Sequence, residues 1–198
     1  MSERGASPID IPAQLEEHRR VVAGLDNVIP QIQQIADSLS RCLRQGGKVI
    51  WMGNGGSAAD AQHLAAELVV RFTRERQALA AIALTTDTSI LTAAANDYSF
   101  DLIFARQIEA LCRPVDAVIG ISTSGTSPNV IAGLQKAKEL GARTIALTGN
   151  GGGKLKELAD SCLDIPSTVT ARIQEAHILI GHILCDWIEA ASMEDASV

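Results

Sequence analysis

His63 and Glu67 stand four residues apart in an alanine-rich run, Ser57-Ala58-Ala59-Asp60-Ala61-Gln62-His63-Leu64-Ala65-Ala66-Glu67. If that run is helical, as its alanine content favours, an imidazole and a carboxylate share one face and could meet one metal ion or one substrate carbon. Directly ahead lies Gly53-Asn54-Gly55-Gly56, a turn no ordinary side chain could follow, and before it the apolar run Val49-Ile50-Trp51-Met52. Strand, glycine loop and helix together make an anion cradle. Amides at a helix N-terminus lack intrahelical partners and carry the positive end of the dipole, with Ser57 placed as N-cap or hydroxyl donor. A second polar loop, Ser122-Thr123-Ser124-Gly125-Thr126-Ser127, again follows an apolar run and precedes a helical one. Capping accounts for Ser127 but leaves Ser122 and Ser124 without a role, so the two loops together could wrap a single phosphomonoester.

Other phosphate chemistries fit less well. Gly53-x-Gly55-x-x-Ala58 is compatible with a relaxed dinucleotide fingerprint, yet Asp87, the only candidate for its acidic ribose partner, comes late. No Gly-Lys-Ser/Thr occurs, which excludes a P-loop. Further on, Gln174, Glu175, His177 and His182 share one helical segment. Gln174 and His182 are separated by roughly 12 Å of helical rise, and the residues alone leave His177 and His182 equally placed as site histidines.

These side chains need a frame that brings strand ends together. Residues 1–12, with Pro8 and Pro12, are expected to form a loose lead-in, and 13–198 a single domain. Two helical patterns over 14–46, interrupted near 27–30, precede the first strand; they are candidates for contact with another subunit or for lying over the domain edge. Strands are expected over 79–84, 115–121, 143–148 and 162–165. Helices are expected over 88–95, 100–112, from Pro128 onward, over 155–159 and over 171–191. Strands alternating with helices predict an α/β fold: a parallel, flavodoxin-like sheet flanked by helices, with ligands at the strand C-termini.

The 198 residues, 46% hydrophobic and 20% charged, suit one globular domain with a sizeable core. A net charge of -6 offers no basic stripe for nucleic acid. No apolar run approaches the roughly 18 residues that would cross a bilayer, and the N-terminus lacks the apolar core of a signal peptide, so a cytoplasmic location is expected. Cys42, Cys112, Cys162 and Cys185 have no CxxC spacing and are expected to be small buried apolar residues.

Taken together, Gly-Asn-Gly-Gly-Ser-Ala-Ala-Asp-Ala-Gln-His with Glu67 following, Leu84-Thr85-Thr86-Asp87 leading to Asn96-Asp97, Ser122-Thr123-Ser124-Gly125 with Ser127, and Arg172-Ile173-Gln174-Glu175 with His182 resemble the phosphoheptose isomerase branch of the sugar isomerase (SIS) domain family. The resemblance covers nearly the whole chain after the first dozen residues. It implies phosphate contacts at Ser57, Ser122, Ser124 and Ser127, with Asn54, Gly55, Gly56, Asn96, Asp97 and Thr123 lining the sugar. It also implies one zinc ion per subunit, held by His63, Glu67, Gln174 and His182, and so favours His182 over His177; His63, Glu67 and Gln174 would then also face substrate. The implied activity is aldose–ketose isomerisation of sedoheptulose 7-phosphate through an enediol, with Glu67 and His182 catalytic, as the first step toward nucleotide-activated heptose for glycans such as lipopolysaccharide. A carboxylate bound to zinc is a weaker base, so the two roles of Glu67 compete. Members of the family are homotetramers with active sites at subunit contacts, which would use the N-terminal helices. Ala171 stands where some members carry Asp, so no acid role is assigned there. A related SIS branch is a non-catalytic tetramer that binds a replication initiator, and it lacks the carboxylate and final histidine that Glu67 and His182 supply here; their presence favours the enzyme. A phosphosugar-sensing regulator would need neither His63 nor Glu67.

Overall fold

The computed structural model describes residues 9–195. The Asp10 side chain accepts a hydrogen bond from the Ala13 N–H (3.0 Å) and so caps helix α1 (Ile11–Gly24), with Pro12 in its first turn. The expected lead-in therefore ends by residue 10, and Pro8 lies outside the described residues. A 3-10 turn (Leu25–Val28) breaks the helical run where the pattern breaks, and α2 (Ile29–Arg44) follows. The chain then alternates: β1 (Val49–Gly53), α3 (Gly56–Val69), β2 (Ala81–Ala83), α4 (Thr88–Asp97), α5 (Ile103–Leu111), β3 (Ala117–Ser122), α6 (Pro128–Glu139), β4 (Arg143–Gly149), α7 (Leu155–Leu158), β5 (Ser161–Ile165) and α8 (Thr170–Asp195).

The five strands form one parallel sheet in the order β2-β1-β3-β4-β5. Because every strand but the edge pair is sandwiched, side chains on both faces are buried and the strands read as unbroken apolar runs. Val49 and Trp51 of β1 point into a core shared with α1, α2, α3 and α8, whereas Ile50 and Met52 point into the core under α4, α5 and α6. Both N-terminal helices pack against the domain itself. α2 buries Ile32, Ile35, Ala36 and Leu39, and α1 lies along α8, where Arg172 donates to the Gln14 carbonyl (2.7 Å) and His18 Nδ1 meets Glu175 at 2.7 Å. Ile11 and Leu15 remain exposed.

Two strands are shorter than their apolar runs. β2 keeps only Ala81–Ala83 of the expected 79–84, because an edge strand has a single partner and pairs only from Val49↔Ala81 to Trp51↔Ala83. β3 begins at Ala117, since the Asp116 carboxylate is occupied at the strand's foot, accepting from the Lys48 N–H (3.0 Å) and the Arg113 N–H (2.7 Å). Cys42 and Cys185 are buried as expected, but Cys112 and Cys162 are only half-buried. Burial pushes the Cys42 and Cys112 thiols up to about 11 and that of Cys185 up to about 12.

Helices α3 and α8 run side by side in the same direction, and Gly181 permits their approach: a Cβ there would sit 2.5 Å from the buried Leu64 side chain. Where α3 ends, the segment 70–80 turns back across α8 and is fastened by Glu189. This carboxylate, 0% exposed, accepts the backbone N–H groups of Phe72 (2.9 Å), Thr73 (2.8 Å) and Arg74 (2.8 Å) and pairs with Arg76 at 3.2 Å. Burial alone would raise its pKa, but the donors from Thr73, Phe72 and Arg74 outweigh it and bring the pKa down to about 2. A carboxyl with a depressed folded-state pKa stabilises the fold above its unfolded value, and that contribution is lost as pH falls from about 4.5 toward 2. Glu189→Gln is expected to cost roughly 3–5 kcal/mol at pH 7, because it strands buried cationic and N–H groups, and progressively less below pH 4. Denaturant unfolding of both proteins across pH 2–7 measures this, and a deficit independent of pH would contradict it.

Candidate functional site

The chain leaves β1 at Gly53 and β3 at Ser122, on neighbouring strands, but continues in opposite directions across the sheet. That is a topological switch point, where a crevice opens at the strand C-termini. Both polar loops line it.

The first loop turns at Gly55, whose φ of 57° and ψ of -120° suit a residue without Cβ. Gly55 is the N-cap of α3, which corrects the expectation for Ser57: that residue sits inside the first helical turn, 3% exposed, with its hydroxyl making no capping bond. The turn closes on itself, since the Ser57 N–H donates to the Asn54 carbonyl (3.0 Å) and those of Ala58 and Ala59 to the Gly55 carbonyl (3.1 and 3.2 Å). Gly55 and Gly56 are exposed at the crevice. The second loop holds its hydroxyls in a cluster. Ser127 occupies the N-cap position of α6 yet makes no side-chain cap; its Oγ lies 2.8 Å from that of Ser122, which in turn is 3.5 Å from that of Ser124. The Thr126 hydroxyl donates to Ser124 Oγ (2.9 Å), and Thr123 is half-buried beside them. Capping thus explains none of these hydroxyls, which gather Ser122, Ser124 and Ser127 at the mouth of the crevice.

Farther along α3, Ala61, Leu64, Ala65 and Leu68 form the buried stripe, and Asp60, His63 and Glu67 fall on the next stripe round, toward α8. There His63 Nε2 lies 2.9 Å from His182 Nε2 and 3.2 Å from Glu67 Oε1, and one donor atom from each of the three residues falls within 4.8 Å of the others. Phe72 stacks on the His182 ring with centroids 5.5 Å apart. Asp60 joins from one turn earlier: one carboxylate oxygen is buried without a partner, and burial raises its pKa while the charges of His63 and His182 pull the other way.

The two histidines of α8 have different fates. His177 is 0% exposed, sits at 2.9 Å from the Thr148 carbonyl, and is pushed down to about 4 by burial, so it is a neutral core residue. Gln174 packs its amide against Gly56, 2.7 Å from where a Cβ would stand, at the N-terminal end of α3. Asn96 and Asp97 end α4; the Asn96 amide donates to Asp97 (2.8 Å), and among the described residues neither bonds to the β1 or β3 loop. Asp87, the residue a dinucleotide site would need, is taken as the N-cap of α4 by the Ile90 N–H (2.9 Å). Asp60, Phe72 and Asn129, whose amide meets Asn54, were not singled out by sequence reasoning. Only Asp60 left a signal, its position one turn before His63.

Two polar loops at the switch point of a parallel sheet, with a histidine–carboxylate cluster farther down the same helix, define the class: an α/β protein with a candidate anion site at its strand ends. The family model described as SIS domain matches residues 15–149. The chain is 60% identical over 159 residues to the phosphoheptose isomerase of Aquifex aeolicus, covering 80% of this chain and 83% of that one. It is 54% identical over 180 residues to that of Paramagnetospirillum magneticum, covering 90% and 94%. Among solved structures, phosphoheptose isomerase GmhA from Neisseria gonorrhoeae superposes with a TM-score of 0.87 at 45% identity, covering 91% and 97%. The chain therefore belongs to the phosphoheptose isomerase family of SIS domain proteins.

The burial of His177 makes a check available. With its folded pKa near 4 and an unfolded value of 6.5, stability is lost as pH falls through that window, by about 1.4 kcal/mol per pH unit. His177→Gln, with an amide able to donate to Thr148, is expected to flatten this slope in urea unfolding between pH 7 and 4. An unchanged slope would mean that His177 titrates as it does in water.

Proposed function

We infer that the protein is an isomerase that interconverts sedoheptulose 7-phosphate and D-glycero-D-manno-heptose 7-phosphate, the first step toward nucleotide-activated heptose. The observation that carries this is the placement of an anion cradle and the His63–Glu67–His182 cluster on one helix. From Ser57 to His63 the helix rises about 9 Å, and an extended seven-carbon chain bearing a terminal phosphate spans on the order of 10 Å. A phosphate held at one end would thus bring the reacting carbons to the other.

In this mechanism Ser57, Ser122, Ser124 and Ser127 anchor the phosphate, so that remote binding energy orients the open-chain sugar. Gly55, Gly56, Thr123 and Gln174 line the crevice beside it. Glu67 takes the proton from C1, and His182, held by Phe72, serves the other side of the enediol as acid or base. The cluster suits zinc: His63 Nε2 lies 2.9 Å from His182 Nε2 and 3.2 Å from Glu67 Oε1, near the roughly 3.3 Å expected between ligands of a tetrahedral ion, and all three donor atoms fall within 4.8 Å of one another. Such an ion would supply Lewis-acid polarisation of the carbonyl. His63, Glu67 and His182 would hold it, leaving the part of Gln174 as a fourth ligand dependent on movement away from Gly56. Asn96 and Asp97 would line the sugar, and in the expected homotetramer exposed Ile11, Leu15, Ile183 and Trp187 offer apolar contact. No helix among the described residues is long and apolar enough to cross a membrane. A cytoplasmic enzyme feeding glycans such as lipopolysaccharide agrees with that.

Incubation with sedoheptulose 7-phosphate in deuterated water, with zinc or with a chelator, is expected to give aldoheptose 7-phosphate by NMR, with deuterium at the reacting carbon. Glu67→Gln and His182→Ala should each lower kcat by about 100-fold or more. Full activity in both would remove the mechanism, and no product from the wild-type protein under either metal condition would remove the isomerase. Ser124→Ala should weaken substrate binding by about 1.5–3 kcal/mol through one lost charge-assisted hydrogen bond, and unchanged affinity would place the phosphate elsewhere.

A further inference from the structure

The loops that follow β1 and β3 are joined by a pair of amides that helix capping does not explain. Asn129 is the second residue of α6 and is 1% exposed, whereas the N-cap position belongs to Ser127. The Val130 N–H donates to Asn129 Oδ1 at 2.9 Å, which fixes the amide's orientation and turns Nδ2 toward the first loop. There Asn129 Nδ2 donates to Asn54 Oδ1 (2.8 Å) and Asn54 Nδ2 donates back to Asn129 Oδ1 (2.8 Å). The Asn54 side chain thus has its only acceptor and one of its donors directed at Asn129.

Asn54 immediately precedes Gly55, and Asn129 follows Ser127 by two residues, so the cyclic pair links the two halves of the anion cradle at their base. A phosphate bound between the loops needs donors from both at hydrogen-bond distance at once, and a gap wrong by a few tenths of an ångström weakens several bonds together. We propose that Asn129 is a positioning residue that sets the gap between the two phosphate-binding loops, and that the Asn54 side chain serves this pair rather than the sugar. The proposal rests on the loops being a phosphosugar cradle, and it deepens the isomerase assignment by separating positioning from contact.

A double-mutant cycle on Asn54→Ala and Asn129→Ala tests it, with inorganic phosphate affinity measured by calorimetry and KM and kcat measured for sedoheptulose 7-phosphate. Each single change is expected to weaken phosphate binding about tenfold and to raise KM more than it lowers kcat. The double variant should be no weaker than the worse single one, because both changes break the same pair. Asn129→Asp, which keeps the shape and the Val130 bond but sets a carboxylate oxygen against Asn54 Oδ1, should weaken binding as much. It carries the test if truncation at this buried position prevents folding. Additive losses with the larger at Asn54 would overturn the proposal in favour of direct sugar contact. So would phosphate affinity unchanged in the Asn129 variants, or a wild-type protein that does not bind phosphate. A wild-type protein that binds phosphate through this coupled pair but turns over no heptose phosphate would remove the isomerase and leave the pair's role standing.

Discussion

Parallel pairing of β1 with β3, in register from Val49↔Ala117 to Gly53↔Ile121, decides where everything else goes. Two parallel neighbours end at the same edge of the sheet, and because the chain crosses in opposite directions from them, no helix covers the gap between their loops. A ligand there meets the start of α3 from one side and the start of α6 from the other, so both helix dipoles and both sets of hydroxyls act on one anion. With a net charge of -6, the protein has no general attraction for anions, so any anion held there would depend on these local donors.

From that anchor, α3 acts as a ruler. Its N-terminus opens on the crevice, its apolar stripe packs into the core, and the next stripe carries Asp60, His63 and Glu67. Helix α8 completes the measure because it runs parallel to α3, so that Gln174 meets Gly56 at one end, His182 meets His63 in the middle and Glu189 meets the returning chain at the other. Gly181 sets how close the two helices come. A side chain at that position would have to displace Leu64, and the His63–His182 pair one residue along on each helix would open with it.

What could be read in the sequence was what depends on near neighbours. The glycine turn before an alanine-rich helix, the four-residue spacing of His63 and Glu67, and the apolar runs of buried parallel strands are local patterns, and all appear in the fold. Residue-level roles were harder wherever a distant partner decides them. His177 and His182 carry the same chemistry on one helix, and only packing under Thr148 separates the core residue from the site residue. Ser57 resembled an N-cap because Ser is favoured there, but the positive φ of Gly55 shifts the helix start by two residues. Phe72 and Asn129 act across 110 and 75 residues of sequence, to His182 and Asn54 respectively, distances over which periodicity carries no information.

The segment after α3 explains how an exposed cluster can still be well placed. His63 is largely open to solvent, and two imidazoles with a carboxylate would otherwise sample many rotamers. Glu189 fixes the backbone of 72–74 through three N–H groups, that backbone lays Phe72 on the His182 ring, and Arg76 reaches back to donate to the Glu67 carbonyl at 2.8 Å. One buried carboxylate therefore ties α8, the returning segment and the end of α3 into a closed frame around His63, Glu67 and His182. Side chains held in this way have less conformational freedom left to lose. A similar tie stands at the other end of α3, where Asn54 and Asn129 join the two loops through mutual hydrogen bonds. Both ends of the ruler are thus braced by buried polar groups whose partners come from another part of the chain.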